Sequence, residues 1–112
     1  MYNHALNICH LNVFHLYNKV TDINVMLNTS PNKIHILGLS ETRLNDSIDN
    51  DLISINNYRI IRRDKQFDKH TGIIVYTHDS IYQHVKIRKD LEYKEIDVLC
   101  LEVKRNKSTP LL

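Results

Sequence analysis

Tryptophan is absent from this chain, and glycine, proline and cysteine occur only twice each. With so few glycines there is no phosphate-cradling glycine loop and no dinucleotide-binding fingerprint, and a nucleophile elbow is missing as well. The loops must instead be built on Asn, Asp and Ser, whose short side chains hydrogen-bond their own backbone. Cys9 and Cys100 stand far apart, with no paired spacing of the kind that zinc sites and disulfide frameworks need. They read as small buried hydrophobes in a reducing compartment. No apolar run approaches the roughly 20 residues of a bilayer span, so no membrane partner is expected. The opening MYNHALNICHLN lacks the long apolar segment of a secretory signal, which makes a nuclear or cytoplasmic location the default expectation. A formal charge of +2 over 112 residues permits a phosphate-bearing partner without demanding one. This is the size of one domain or part of one, and no repeat or low-complexity tract divides it.

The most informative stretch is 34–44, IHILGLSETRL. Its first half is nearly all apolar, the pattern of a strand covered on both faces. Its second half turns polar at Ser40-Glu41-Thr42-Arg43, so a carboxylate stands where a buried strand leaves the core. In layered α/β proteins ligands bind at the carboxyl ends of strands, because the rigid sheet fixes the side chains that emerge there. Glu41 is therefore the first candidate site residue.

Residues 6–13 read as an earlier strand, with Leu6 and Ile8 on one side and Cys9, Leu11 and Val13 on the other, both faces covered. It ends near Asn12, a residue type that more often terminates a strand than serves a site. Over 16–27 the apolar positions Leu16, Val20, Ile23, Met26 and Leu27 recur at helical spacing, and Pro31 lies just beyond. Strand, helix and strand make a βαβ-like opening. If its strands run parallel, Asn12 and Glu41 emerge from one edge of the sheet, and that coincidence makes Asn12 the second candidate.

Downstream, 45–55 reads as a short helical or turning segment with Asp46, Asp49 and Asp51 as solvated, helix-capping carboxylates; their spacing does not fit a calcium loop. Residues 58–64 and 72–78 read as strands of a hairpin joined by the polar loop 65–71. Further strands are expected at 85–87 and 96–104, the latter with Leu99, Leu101 and Val103 on one side. The seven histidines form no metal-ligand pair or cluster and read as scattered strand and surface residues. Arg59, Arg62, Arg63, Lys65 and Lys69 form the one basic concentration, either a solvated surface or a way to position phosphates by charge.

A carboxylate at a strand end suits Mg²⁺, which takes oxygen ligands and often only one or two from the protein. Beside it, an amide can orient a phosphate oxygen. Together with a basic loop, this fits metal-assisted phosphodiester chemistry.

The order LNICHLNVFHL, Lys19, HILGLSETRLNDSI, NNYRIIRRDK and TGIIVYTHDSI resembles the endonuclease/exonuclease/phosphatase superfamily, most closely the apurinic-like endonuclease domain of non-LTR retrotransposons. The likeness runs from about residue 6 onward and is most specific at SETRLNDSI. It implies a DNase I-like, four-layer α/β sandwich, of which residues 1–112 would be the N-terminal half: one mixed sheet with flanking helices. It also implies that Glu41 binds Mg²⁺, that Asn12 helps hold the phosphate, and that the phosphate backbone of DNA is the partner of the complete domain. The sequence departs from the family at Phe14, where an arginine is common, and at His70-Thr71-Gly72, where a glycine-rich turn is. The family's later tyrosine, aspartate-asparagine and aspartate-histidine motifs are absent. The expectation is thus a fragment of a Mg²⁺-dependent endonuclease, inactive without the C-terminal half, with an apolar inner sheet face lacking its cover. A phosphatase of the same superfamily acting on a small phosphorylated substrate, and a non-enzymatic remnant, are the alternatives.

Overall fold

The computed structural model describes residues 5–45, 47–64, 72–92 and 98–104. At its centre is strand β2, Ile36–Ser40, flanked by β1 (Ile8–Asn12) on one side and β4 (Ile73–His78) on the other, with β3 (Tyr58–Arg63) beyond β4. The sheet order is β1-β2-β4-β3. β1 and β2 are parallel, as their helical crossover requires. β4 is antiparallel to both β2 and β3, so the sheet is mixed and the expected hairpin forms. The crossover is a 3₁₀ turn at Tyr17–Lys19 running into helix α1, Val20–Thr29. It starts later than the apolar period suggests, because Leu16 is fully buried as the anchor before the first turn.

Strand alternation divides the apolar residues between two faces. Leu37, Leu39, Ile74 and Tyr76 face Ile23 and Leu27 of α1, together with Leu44, Ile53 and Ile55 of the segment between β2 and β3. Here the buried Tyr76 hydroxyl donates to the Ile53 carbonyl at 2.6 Å, and burial pushes the phenol's pKa well above its ordinary value. The 45–55 segment is pinned by Arg62. Its guanidinium donates to the Ile48 and Asn45 carbonyls, to Asn50 Oδ1, and in a two-pronged pair to Asp64 at 2.8 and 2.9 Å.

On the opposite face, Ile36, Ile61 and Val75 pack with Ile81 of the short helix α2, Asp79–Tyr82. A two-stranded antiparallel ribbon, β5 (Val85–Ile87) and β6 (Leu101–Val103), lies against them through Val85, Leu99, Leu101 and Val103. Arg63 ties this region down by donating to the Val98 carbonyl and to Glu92.

Several expectations are corrected by this packing. β1 is not covered on both faces: it is an edge strand, with Ile8 62% and Leu11 38% exposed. The strand expected over 96–104 pairs with β5 in its own ribbon instead of joining the main sheet; residues 93–97 lie outside the described part. Asp49 and Asp51 are exposed as expected, but Asp49 makes no side-chain cap to the 3₁₀ turn Asn50–Leu52, and Asp46 lies outside the described residues. Cys9 and Cys100 are free and only half-buried. Of the basic group, Arg62 and Arg63 are spent on the protein's own carbonyls and carboxylates, while Arg59 pairs with Asp79 at the surface. Lys65 and Lys69 lie outside the described residues, as do His4 and His70. Among the described residues no helix is long and apolar enough to cross a membrane.

Candidate functional site

The parallel register aligns Asn12 of β1 with Ser40 of β2, and Glu41 is the next residue along. Neighbouring strands lie about 4.8 Å apart, so the acid and the amide stand on one rim of the sheet. One more backbone bond, from the Val13 N–H to the Ser40 carbonyl (3.1 Å), extends the pairing past the strand ends. Because paired residues share a face, Asn12, Ser40, His10 and Ile8 all point to the side opposite α1. His10 Nε2 and Ser40 Oγ are 3.1 Å apart on that side.

Beyond the rim the backbone bends sharply. Phe14, Glu41 and Arg43 all have left-handed φ, at 61°, 56° and 58°. For an L-residue this region costs roughly 1–2 kcal/mol. The bends are held from outside: the Thr42 N–H donates to the Gly72 carbonyl at 3.2 Å, and the Thr42 carbonyl accepts from the Leu16 N–H at 3.1 Å. Thr42 is thus a buried tie between two half-exposed neighbours, and Glu41 is turned out of the strand direction at its end.

Asn12 has a defined local task. Its Oδ1 accepts from the Phe14 N–H at 3.2 Å, closing a tight turn. With the amide oxygen so engaged, the two amide hydrogens on Nδ2 are available to an incoming oxygen. Lys19 is also drawn in, its ammonium donating to the Val13 carbonyl. Arg43 lies over the Phe14 ring, with its guanidinium carbon 3.9 Å from the ring centroid. Its Nε and Nη2 are buried, with no acceptor among the described residues. Leaving buried donors unpaired costs about 1–3 kcal/mol.

Neither family models, nor curated proteins, nor solved structures match this chain. The site therefore rests on its own geometry.

As a cation site, the rim offers one carboxylate, Glu41, beside an amide. Among the described residues no three or more His, Cys, Asp or Glu side chains gather into a metal-binding group. A carboxylate with an amide on the same rim is a donor set that Mg²⁺ accepts, since that ion keeps several waters and takes few protein ligands.

Both candidates from the sequence, Asn12 and Glu41, come to the same rim. Phe14 was noted from sequence only as a departure from the family, and Arg43 and the His10–Ser40 pair were not named as site residues. For His10 and Ser40 the signal was available in strand alternation, since each precedes a candidate or shares its face. For Phe14 and Arg43 there was none, because left-handed backbone at a bulky or charged residue has no sequence signature. A depression of about 390 Å³ lined by Ile48, Asp49, Asn50, Asp51, Arg62 and Asp64 opens at the same edge of the sheet two strands over, where Arg63 stands level with Ser40 through Ile73, and its one cation is already engaged by the protein.

Proposed function

We propose that this chain carries the metal and phosphate side of a Mg²⁺-dependent phosphodiester-cleaving site, in an endonuclease/exonuclease/phosphatase-type domain of retrotransposon origin acting on DNA. The observation that carries this reading is the parallel register, which puts Asn12 level with Ser40 and Glu41 immediately beyond, at the carboxyl rim where layered α/β proteins bind ligands. Bound Mg²⁺ would supply polarisation of the phosphate and stabilisation of developing negative charge. Glu41 would hold the ion through its carboxylate. Asn12, its oxygen committed to the Phe14 N–H, would donate from Nδ2 to a phosphate oxygen and so fix the phosphate beside the acid.

The finer fold assignment belongs to the same proposal: the mixed sheet is the first half of a four-layer sandwich, with α1 outside and the Asn12 face inside. The expected uncovered apolar face is largely corrected, since Ile36, Ile61 and Val75 are buried there under Ile81 and the β5–β6 ribbon; the exposed edge around Ile8, 62% exposed, is what supports a second sheet packing on that side. Having only this acid and amide of the superfamily's site residues, the 112-residue chain is expected to nick DNA slightly or not at all on its own.

The direct test is binding of Mn²⁺ in place of Mg²⁺, followed by paramagnetic broadening of backbone amide signals. Broadening is expected around residues 12–14 and 40–43, and it should vanish in Glu41→Gln. Broadening centred elsewhere, or unchanged by that substitution, would overturn the assignment. Plasmid nicking by the isolated chain in Mg²⁺ that Glu41→Gln abolishes would keep the site but refute the need for a second half.

A further inference from the structure

Phe14 spends unfavourable backbone geometry on keeping a hydrophobic ring in water. Its φ is 61°, a genuine outlier for a bulky side chain, yet the ring is 59% exposed and so gains little from burial. Strain of this kind persists where surrounding structure enforces it, and Asn12 enforces it here by accepting from the Phe14 N–H. The Arg43 guanidinium, 3.9 Å from the centroid, covers one face of the ring, which leaves the exposure to the other face. Arg43 is itself in the left-handed region at 58°. Two strained residues from different loops therefore combine to present one aromatic face, backed by a cation, on the rim that carries Asn12 and Glu41. A second aromatic, Tyr17, stands three residues on in the 3₁₀ turn and is 48% exposed.

We infer that the Phe14–Arg43 stack is a platform for an unpaired nucleobase, placed next to the position proposed for the scissile phosphate. An exposed ring face beside a cation is the arrangement by which proteins hold single-stranded nucleic acid, because every base has a π-face and stacks whatever its sequence. The guanidinium beneath the ring fixes its orientation and adds a cation–π contact. Inside a duplex both faces of a base are covered by its stacked neighbours, so the platform favours a frayed, flipped or single-stranded nucleotide over an intact duplex. The inference rests on the proposed function for the nature of the ligand, but it concerns the base and not the phosphate or metal.

The test uses the 112-residue chain, Mg²⁺-free buffer and short oligonucleotides carrying one 2-aminopurine, whose fluorescence is quenched on stacking. Single-stranded oligonucleotide should bind with quenching, and the fully paired duplex more weakly. Phe14→Ala should weaken single-strand binding roughly tenfold and remove the quenching, since stacking one base on an aromatic contributes on that order. Phe14→Trp should preserve both, which separates loss of stacking from loss of fold. An oligomer of the same length built wholly of abasic units should bind wild type and Phe14→Ala alike. Glu41→Gln should leave the Mg²⁺-free quenching intact, so failure of the metal assignment and failure of the platform are told apart. Equal binding of base-containing and abasic strands, or quenching that survives Phe14→Ala, would overturn the inference while leaving the metal site standing. Quenching of free 2-aminopurine nucleotide as tight as that of the strand would overturn the strand as the ligand.

Discussion

Replacing Glu41 by glycine should make the protein more stable while destroying the proposed metal site. Glu41 is held at φ 56° by the two backbone bonds of its neighbour Thr42, so the bend is imposed by the surrounding structure and stays when the side chain changes. An L-residue in that conformation costs roughly 1–2 kcal/mol, and glycine removes the cost. Glycine's greater unfolded-state freedom offsets roughly 0.5–1 kcal/mol of the gain, which leaves a net stabilisation of about 0.5–1 kcal/mol. For a domain of this size that raises the melting temperature by about 2–8 °C. Glu41→Ala is the control, because it removes the carboxylate but keeps the Cβ and hence the strain. Both variants should lose Mn²⁺ broadening at the rim, yet only the glycine variant should gain stability in thermal and urea denaturation. Asn57, also left-handed at φ 73° but away from the rim, calibrates the scale: Asn57→Gly should gain less, since asparagine tolerates this region. If Glu41→Gly melts no higher than Glu41→Ala, the backbone strain assigned to the rim is not there. Stability moving against function at one residue is the pattern expected of a site held in place at a cost.

Two further outcomes follow from the packing. Arg62→Ala should destabilise the fold by about 2–3 kcal/mol, because the half-buried Asp64 carboxylate and the Ile48 and Asn45 carbonyls lose their shared donor; denaturant titration checks it, and a loss within about 0.5 kcal/mol would mean the 45–50 segment does not depend on this clamp. Acid should destabilise the protein through His35 and His78, whose Nδ1 atoms accept from the Asn7 and Ser80 N–H groups and must therefore stay unprotonated. Burial, then Lys33, lowers both pKa values, with His78 adding to the lowering for His35 and Asp79 opposing it for His78. The unfolded chain thus takes up protons first: this stability is complete above the ordinary histidine pKa of about 6.5 and is lost as pH falls from there through the lowered folded values. Melting temperature against pH should show this slope, reduced in His35→Gln; a flat profile between pH 7 and pH 5 would refute the acceptor roles.

The parallel opening was legible because its cues are local. A near-continuous apolar run at 34–39, a helical period ending before Pro31 and an earlier apolar segment ending near Asn12 leave few ways to arrange strand, helix and strand. The shared rim then follows from chain direction alone, which is why Asn12 and Glu41 could be paired before any coordinates. The antiparallel partnership of 58–63 and 73–78 was legible for the same reason, as β-branched runs across a polar connection.

What tertiary structure alone decided is which faces are covered, which charges are free and where the backbone is bent. Periodicity made 6–13 look covered on both sides, but its place at the sheet edge leaves Ile8 in water, and edge position is set by strand order, which no local pattern encodes. The basic run could be read as a solvated surface or as a way to position phosphates, but long-range contacts give Arg62 and Arg63 to carbonyls and a carboxylate remote in the chain. The left-handed Glu41 and Arg43 were invisible because Thr42 between them is held by bonds to Leu16 and Gly72, residues that only the folded sheet brings near. The sequence by itself determined the order of elements and the edge on which chemistry gathers. The fold decided the shape of that edge, because strain and burial belong to contacts between segments and not to any segment alone.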